Sequence, residues 1–265
     1  MFYRKKVMLE KKGKIFVGTS GWHYKHWIGK FYPEKMASKD LLAYYDSFFE
    51  TLELNNSFYK LPTSEQFSVW YNNTPKGFLF SIKASRYITH IKRLNMPTEG
   101  IKKLIDSISA LEEKLGPILF QLPPNMKLNI ERLEEFISYL PSGFRYTFEF
   151  RHPSWYNEEV YELLKKNNCA FCIYELNHHM SPVITTADFV YIRLHGPEEK
   201  YSGDYSKKQL NEWAESCKNW LADGKDVFIY FDNDQNAYAP FNALYLKERL
   251  QKGKKKHVKP NYSDA

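Results

Sequence analysis

The stretch FVYIRLH, residues 189–195, carries the pattern that decides the fold. Its aliphatic residues fall on one face of an extended strand, whereas Arg193 and His195 fall on the other, because successive strand side chains point to opposite sides. A parallel strand that is buried on both faces normally consists almost entirely of aliphatic residues. The polar face of this strand therefore predicts that the strand lines the lumen of a closed barrel.

Similar short strands recur along the chain, with amphipathic helical patterns between most of them. The eight predicted strands cover residues 14–20, 51–57, 78–85, 118–122, 146–151, 170–175, 189–195 and 226–232. Thr63 with Gln66, and Ser206 with Gln209, have the spacing of capping boxes and indicate helix starts. Only residues 177–188 lack a helical pattern. This alternation predicts a TIM-type (β/α)8 barrel in which the helix between strands six and seven is short or missing.

The barrel is expected to form one domain. It covers residues 14–251, between a basic N-terminal segment of residues 1–13 and a basic C-terminal tail of residues 252–265. A doubly wound open sheet is the alternative, but such sheets usually have fewer strands. The chain also lacks a Gly-x-Gly-x-x-Gly turn after its first strand, and this turn is typical of dinucleotide-binding sheets.

Composition excludes several classes of protein. With 43% hydrophobic and 26% charged residues, the chain is neither disordered nor collagen-like. No apolar run approaches the roughly 20 residues of a membrane helix, and no signal peptide is recognisable. Three cysteines argue against a disulfide framework and predict a cytoplasmic location. Cys169 and Cys172 are expected on opposite strand faces, which predicts structural roles for both.

The net charge of +7 is concentrated at the two ends of the chain. Residues 1–14 carry a net charge of +5 and residues 251–265 carry +4, which leaves −2 for residues 15–250. Basic segments of this kind bind polyanions, although many are simply solvated. The sequence therefore predicts at most weak, nonspecific nucleic-acid binding, through the terminal segments.

Charged and polar side chains share one face of several predicted strands. They are Glu53, Asn55 and Lys83 on strands two and three, Glu149 and Arg151 on strand five, Arg193 and His195 on strand seven, and Asp232 on strand eight. We expect these faces to line the lumen near the C-terminal mouth of the barrel, where barrel enzymes bind their substrates, with Arg151 nearer the mouth than Glu149. A structural ion-pair network is the alternative, but buried ion pairs contribute little net stability, and this favours a functional pocket.

A series of short motifs resembles the YecE-like family, a group of TIM-type barrel proteins catalogued as a domain of unknown function. The motifs are GTSGW (18–22), FYP (31–33), ELN (53–55), KA (83–84) with TH (89–90), QLPP (121–124), EFRHPSW (149–155), YIRLHG (191–196) and FDND (231–234). The resemblance runs from end to end and implies the barrel fold, but it brings no established reaction. The chain departs from the family pattern at Asp232, where the family usually has Asn.

The favoured hypothesis is an enzyme that acts on a small substrate bearing a phosphate or carboxylate group. Arg151, Arg193 and Lys83 are the predicted anion ligands, because guanidinium groups form bidentate pairs with such anions. Glu149 or His195 is the predicted acid or base. The other predicted substrate-binding residues are Glu53, Asn55, His152, Trp155, Trp22, Asp232 and Asn233. No cofactor is predicted.

Two other functions are weighed against this hypothesis. A metal-dependent phosphodiesterase or nuclease could use Glu53, Glu149, His195 and Asp232 as ligands of a divalent metal. A non-catalytic ligand or nucleic-acid binding protein is the third possibility. A Schiff-base mechanism is disfavoured, because the carboxylates near Lys83 are expected to raise its pKa.

Overall fold

The computed structural model describes residues 12–95 and 97–251, and its strands form the predicted barrel. The strands are β1 (Ile15–Thr19), β2 (Thr51–Leu54), β3 (Leu79–Lys83), β4 (Leu115–Gln121), β5 (Tyr146–Glu149), β6 (Ala170–Leu176), β7 (His179–Met180), β8 (Phe189–Leu194) and β9 (Asp226–Phe231). The order around the barrel is β1-β9-β8-β6-β5-β4-β3-β2, and neighbouring strands are parallel. The eight-stranded barrel is thereby confirmed.

The two strands at the ends of this order, β1 and β2, meet and nearly close the barrel. Ser20 and Glu53 form a parallel bridge, and the Gly21 amide donates to the carbonyl oxygen of Glu53 at 2.8 Å. The two backbones approach so closely that a Cβ atom on Gly18 would lie 2.4 Å from the carbonyl oxygen of Thr51. Glycine is therefore required at position 18.

Helices cover the outside of the barrel. They are α1 (Leu41–Asp46), α2 (Asn56–Tyr59), α3 (Ser64–Asn72), α4 (Pro97–Ile108), α5 (Ile130–Ser138), α6 (Glu158–Lys166), α7 (Lys207–Ala222) and α8 (Tyr238–Gln251). The capping boxes predicted at Thr63 and Ser206 are present at the starts of α3 and α7. Between β6 and β8 the chain forms no helix, as predicted, and β7 instead pairs antiparallel with β6.

The barrel has two apolar cores, one between the strands and the helices and one inside the lumen. The inner core contains Leu119, Ala170, Phe189, Tyr191 and Phe228, which come from the strand faces that point inward. The charged side chains of the lumen lie toward the C-terminal ends of the strands. Each strand thus turns one face to the lumen and the other to a helix, as its sequence pattern requires.

The basic segments at the two ends of the chain lie almost entirely outside the described residues, because these begin at residue 12 and end at residue 251. The expectation of weak nucleic-acid binding through them stays a prediction. Within residues 12–95 and 97–251, no helix has the length and apolar character needed to span a membrane.

Candidate functional site

Arg193 lies at the centre of a buried ion-pair network in the lumen. Its side chain is fully buried, and its guanidinium group bonds to three carboxylates: Glu53 at 2.9 Å, Glu149 at 2.9 Å and Asp232 at 3.2 Å. Its Nε also donates to Glu53, at 3.0 Å, and its Nη1 lies 2.9 Å from Nε2 of His195. All five N–H groups of the guanidinium are therefore engaged.

This arrangement does not support the prediction that Arg193 binds a substrate anion. A ligand could reach Arg193 only by displacing a buried carboxylate, and an uncompensated buried carboxylate is costly. Glu53 is equally enclosed, because it is fully buried and also accepts hydrogen bonds from Tyr191 at 2.6 Å and Ser20 at 2.5 Å. Both side chains are enclosed within the protein, and the geometry does not support their predicted role as substrate ligands.

The hydrogen bonds of His195 define its protonation state. Its Nδ1 lies 3.0 Å from the carbonyl oxygen of Glu175, which can only accept, so Nδ1 carries the proton. Its Nε2 is then the acceptor for Arg193 and for Arg151, whose Nη2 lies at 3.2 Å. Burial, together with these two guanidinium groups, holds the pKa of His195 well below its usual range. His195 is a neutral acceptor whose basic nitrogen is already occupied.

Glu149 is held in its ionised form. Burial by itself would raise the pKa of Glu149, but Arg151 and Arg193 outweigh burial and hold the pKa well below its usual range. Arg151 donates to Glu149 through Nε, and Arg193 donates through Nη1. Neither Glu149 nor His195 changes protonation near neutral pH, so the geometry does not support the predicted acid–base role of either residue.

Lys83 and Arg151 form the open side of the site. The Arg151 side chain is 10% exposed while Glu149 is fully buried, so Arg151 lies nearer the mouth, as predicted. Its guanidinium packs 4.3 Å from the ring centroid of Tyr174, and its Nη1 has no hydrogen-bond partner among the described residues. The Lys83 ammonium lies 4.4 Å from the ring centroid of Phe58 and forms no ion pair within the described part of the chain. Both cations therefore keep donors available for a ligand.

The pKa of Lys83 is shifted opposite to the direction expected from the sequence. Burial and the positive charge of Arg193 lower the pKa of Lys83 to about 8, outweighing Glu149, Glu53 and Asp232. The neighbouring carboxylates do raise this pKa, as predicted, but the expected net increase was wrong because burial and Arg193 outweigh them. Burial also raises the pKa of Asp232 to about 7, against the opposing effect of Arg193. Lys83 and Asp232 are thus lumen groups that titrate near neutral pH.

A π-helical turn at Tyr87–Ile91, directly after β3, brings His90 to the same side of the mouth. The His90 ring packs edge-on against Phe58, with ring centroids 4.9 Å apart. Burial, followed by the charges of Lys83, Arg86, Arg93 and Arg151, lowers the pKa of His90 to about 4. The charges of four cations therefore disfavour protonation of the His90 imidazole.

Sequence analysis did not identify His90 as a site residue, although the motif that contains it was noted. A π-turn depends on one extra residue in a helical turn, and hydrophobic periodicity does not reveal it. Such turns occur often at functional sites. Tyr201 was also missed. Its ring is 37% exposed and packs 5.8 Å from the ring of His195.

Two asparagines that were predicted to bind substrate each leave a buried amide oxygen without a partner in the described residues. Asn55 follows β2, and its Oδ1 accepts no hydrogen bond. Asn233 follows β9 and donates to Gly203 and Asn242, while its own Oδ1 is unpartnered. Because buried polar atoms are normally hydrogen-bonded, both oxygens are acceptors that a ligand could use.

The remaining predicted ligands lie in the loops around the mouth, and one of them is corrected. Trp155 is fully buried, donates from Nε1 to the carbonyl oxygen of Met126 at 2.7 Å and stacks on Phe150, so its role is structural. His152 caps a short 3-10 turn by accepting from the Ser154 amide at 3.1 Å. Trp22 is half-buried and packs edge-on against Trp70.

Within the described residues, no group of three or more His, Cys, Asp or Glu side chains is arranged to hold a metal ion. The carboxylates proposed as ligands are bonded to Arg193 instead. Cys169 belongs to the outer core and Cys172 to the lumen core, so the predicted opposite faces are confirmed. All three cysteines are buried and form no disulfide.

A groove of about 560 Å³ lies next to the mouth, between the end of β3 and helix α4. Its lining includes Lys60, Ser85, Tyr87 and Lys103. The charged side chains that line it are exposed, and the buried charged network lies elsewhere. The candidate site is therefore defined by the lumen residues and not by this groove.

Comparison with known sequences identifies relatives over most or about half of the chain. A family model described as protein of unknown function DUF72 matches residues 16–264. UPF0759 protein YunF of Bacillus subtilis is 24% identical over 269 residues, covering 89% of this chain and 94% of the relative. UPF0759 protein YecE of Escherichia coli is 26% identical over 143 residues, covering 54% of this chain and 50% of the relative.

Solved structures agree with these sequence relationships. A DUF72 family protein from Thermotoga maritima is 30% identical and superposes with a TM-score of 0.82, covering 90% of this chain and 99% of the other. The SacUVDE structure, at 10% identity and a TM-score of 0.54, covers 91% of this chain and 98% of the other, and shares the fold alone. Because the family model spans most of its length, the chain belongs to the DUF72 family of proteins of unknown function.

Proposed function

We propose that this protein is a cytoplasmic enzyme that acts on a small phosphate- or carboxylate-bearing substrate at the C-terminal mouth of the barrel. One observation carries the proposal: Lys83 and Arg151 converge on the mouth with donors that no described residue uses. Arg86 and Arg93 add positive charge around His90 on the same side. An anion bound there replaces water at cations that are already desolvated, and this strengthens the attraction.

The buried network supports this site from below. Arg193 with its three carboxylates fixes the position of Glu149, and Glu149 in turn holds Arg151 through Nε. The guanidinium of Arg151 is therefore oriented before a ligand arrives, which reduces the entropy lost on binding. The unpartnered amide oxygen of Asn55 is an acceptor for a hydroxyl group of the same substrate.

The proposal is tested by measuring the thermal unfolding midpoint with and without inorganic phosphate and small carboxylates. An anion at one hundred times its Kd adds about 2.7 kcal/mol of stability, which raises the midpoint by roughly 5–10 °C for a chain of this size. We expect this rise in the wild type and its loss in Arg151→Gln. If none of these anions moves the wild-type midpoint, the proposal is wrong.

Arg145→Gln provides a matched control. Arg145 directly precedes the same strand, β5, at its opposite end and pairs with Asp226 at 2.7 Å. Its substitution also removes an ion pair of β5, but it does so far from the mouth. The anion-induced shift is expected to survive in Arg145→Gln, so a loss in both variants would indicate an effect on the barrel as a whole.

The alternatives from the sequence stay hypotheses with less support. A divalent metal would have to displace Arg193 from the carboxylates that were proposed as its ligands. Nonspecific nucleic-acid binding would involve the basic terminal segments, nearly all of which lie outside the described residues. A non-catalytic ligand-binding role shares the anion site and differs from our proposal only in the absence of turnover.

A further inference from the structure

We propose that Lys83 is a nucleophile that forms a Schiff base with the carbonyl group of a small aldehyde, ketone or keto acid. The inference rests on the proposed function, because the anionic group of this carbonyl compound would be held by Arg151. It narrows the substrate class to compounds that carry both a carbonyl and a phosphate or carboxylate.

The position of the Lys83 amine favours this role. Lys83 is the last residue of β3, at the end of the barrel where substrates bind, and its residue is 8% exposed. Its Nζ has no hydrogen bond or ion pair within the described residues, although three carboxylates act on it electrostatically. A lysine that served as a structural counter-ion would contact one of these carboxylates.

A second buried lysine shows what a structural role requires in this fold. Lys114 is 5% exposed, and its Nζ donates to the carbonyl oxygens of Tyr71 and Thr74 at 2.5 and 2.6 Å. It also lies 3.3 Å from the Thr74 hydroxyl. Lys114 therefore satisfies its donors within the protein. The Lys83 amine, which is buried to a similar extent, has no hydrogen bond or ion pair with any described residue.

The surroundings of Lys83 favour the neutral amine, which is the reactive form. Desolvation and the neighbouring charge of Arg193 both disfavour the ammonium ion and lower the pKa of Lys83 to about 8. A desolvated lysine next to another cation is a recognised way to activate an amine for attack on carbonyl compounds. A larger fraction of Lys83 is therefore neutral at pH 7.5 than of an exposed lysine.

The reaction balances without an external oxidant or reductant. The Nζ lone pair forms a bond to the carbonyl carbon, the carbonyl π electrons move to oxygen, and proton transfer from nitrogen to oxygen gives a carbinolamine. The C–O bond then breaks, and the hydroxyl group leaves as water with a proton from solvent at the mouth. The product is a protonated imine, so one amine, one carbonyl compound and one proton give one iminium ion and one water.

Borohydride trapping tests the inference. The wild-type protein is incubated with pyruvate, dihydroxyacetone phosphate or uncharged acetone, reduced with sodium borohydride, and mapped by peptide mass spectrometry. We expect the adduct of the two anionic compounds on Lys83 to form at least about tenfold faster than on exposed lysines, because more of the amine is neutral. Lys83→Arg should lose this adduct, and the surface variant Lys102→Arg should retain it.

The comparison between lysines within the wild-type protein keeps the test decisive if Lys83→Arg fails to fold. If Lys83 is labelled no faster than exposed lysines while phosphate still raises the unfolding midpoint, Lys83 is not a nucleophile. The proposed anion site is then unaffected. Selective labelling of Lys83 by acetone and pyruvate alike, without any phosphate effect, supports the nucleophile and contradicts the anion site.

Discussion

Buried cations have different hydrogen-bond partners at the two ends of the barrel. Near the N-terminal ends of β4 and β5, Lys114 donates to backbone oxygens and Arg145 pairs with Asp226. At the C-terminal ends of β3 and β5, Lys83 has no such partner, and Arg151 leaves one nitrogen free among the described residues. Similar residue types therefore stabilise one end of the barrel and leave unsatisfied donors at the other.

The difference shows that burial of a charge does not by itself indicate function. Arg193 is the most deeply buried cation of the site, yet all its donors are bonded within the protein. The informative feature is a desolvated donor that the fold leaves unpaired, because such a donor is costly unless a ligand or water satisfies it. By this criterion, the site lies on the side of the mouth formed by β3 and β5.

The largest loss of stability is expected from substitution of Arg193, because all its hydrogen bonds lie within the protein. Arg193→Met should lower the free energy of unfolding by about 3–5 kcal/mol, because it leaves Glu53 buried without its counter-ion and removes one of the two guanidinium groups that bond to Glu149. Urea denaturation measures the loss. Arg249→Met removes hydrogen bonds to Asn211 and Tyr245 on the outer layer and should cost less than about 1 kcal/mol. Equal losses in the two variants would contradict the structural role of Arg193.

Substitution of the two buried lysines, Lys114 and Lys83, should lower the free energy of unfolding by smaller and unequal amounts. Lys114→Met leaves the carbonyl oxygens of Tyr71 and Thr74 without their donor, and we expect a loss of about 2 kcal/mol. Lys83→Met breaks no hydrogen bond among the described residues, so its cost should be below about 1 kcal/mol at pH 7.5. The measurement is again urea denaturation. If Lys83→Met lowers the free energy of unfolding as much as Lys114→Met, Lys83 has a structural role and the two ends of the barrel do not differ in this respect.

The sequence was sufficient to predict the barrel and the direction of its lumen side chains. Alternation along residues 189–195 identified the polar face of β8, and the two-residue spacing of Glu149 and Arg151 correctly placed Arg151 nearer the mouth. These inferences depend only on strand periodicity, which is local. The missing helix between β6 and β8 was predicted for the same reason, since its stretch lacks an apolar helical face.

The sequence could not predict which cation has all its donors bonded within the protein, because this depends on contacts between strands that are distant in sequence. Arg193 and Glu53 are 140 positions apart in sequence, and their pairing depends on the barrel closing between β1 and β2. The orientation of Trp155 depends on a 3-10 turn, where strand periodicity no longer applies. The error about Lys83 has a related cause: charges were counted from sequence, whereas burial was the largest influence on its pKa.

The smallest expected change in stability comes from substitution of Asp232, and its size depends on pH. Burial raises the pKa of Asp232 from 3.8 to about 7, so the folded protein retains a proton that the unfolded chain has already lost. Stability from this proton is complete below pH 3.8 and is lost as the pH rises through about 7. Asp232→Asn, the residue usual in the YecE-like family, keeps a neutral side chain and should remove this fall.

The measurement is the free energy of unfolding between pH 4 and pH 7.5 for the wild type, Asp232→Asn and the surface control Asp106→Asn. Each pKa unit corresponds to about 1.4 kcal/mol, but the Asp232 side chain remains 8% exposed at the mouth, so we expect a difference on the order of 1 kcal/mol. The curve of Asp232→Asn should lie above the wild-type curve at pH 7.5 and converge with it near pH 4, while Asp106→Asn stays parallel to the wild type. If Asp232→Asn is instead less stable at pH 7.5, the ionised carboxylate is needed by Arg193, and the β9 side of the mouth belongs to the closed network rather than to the open site.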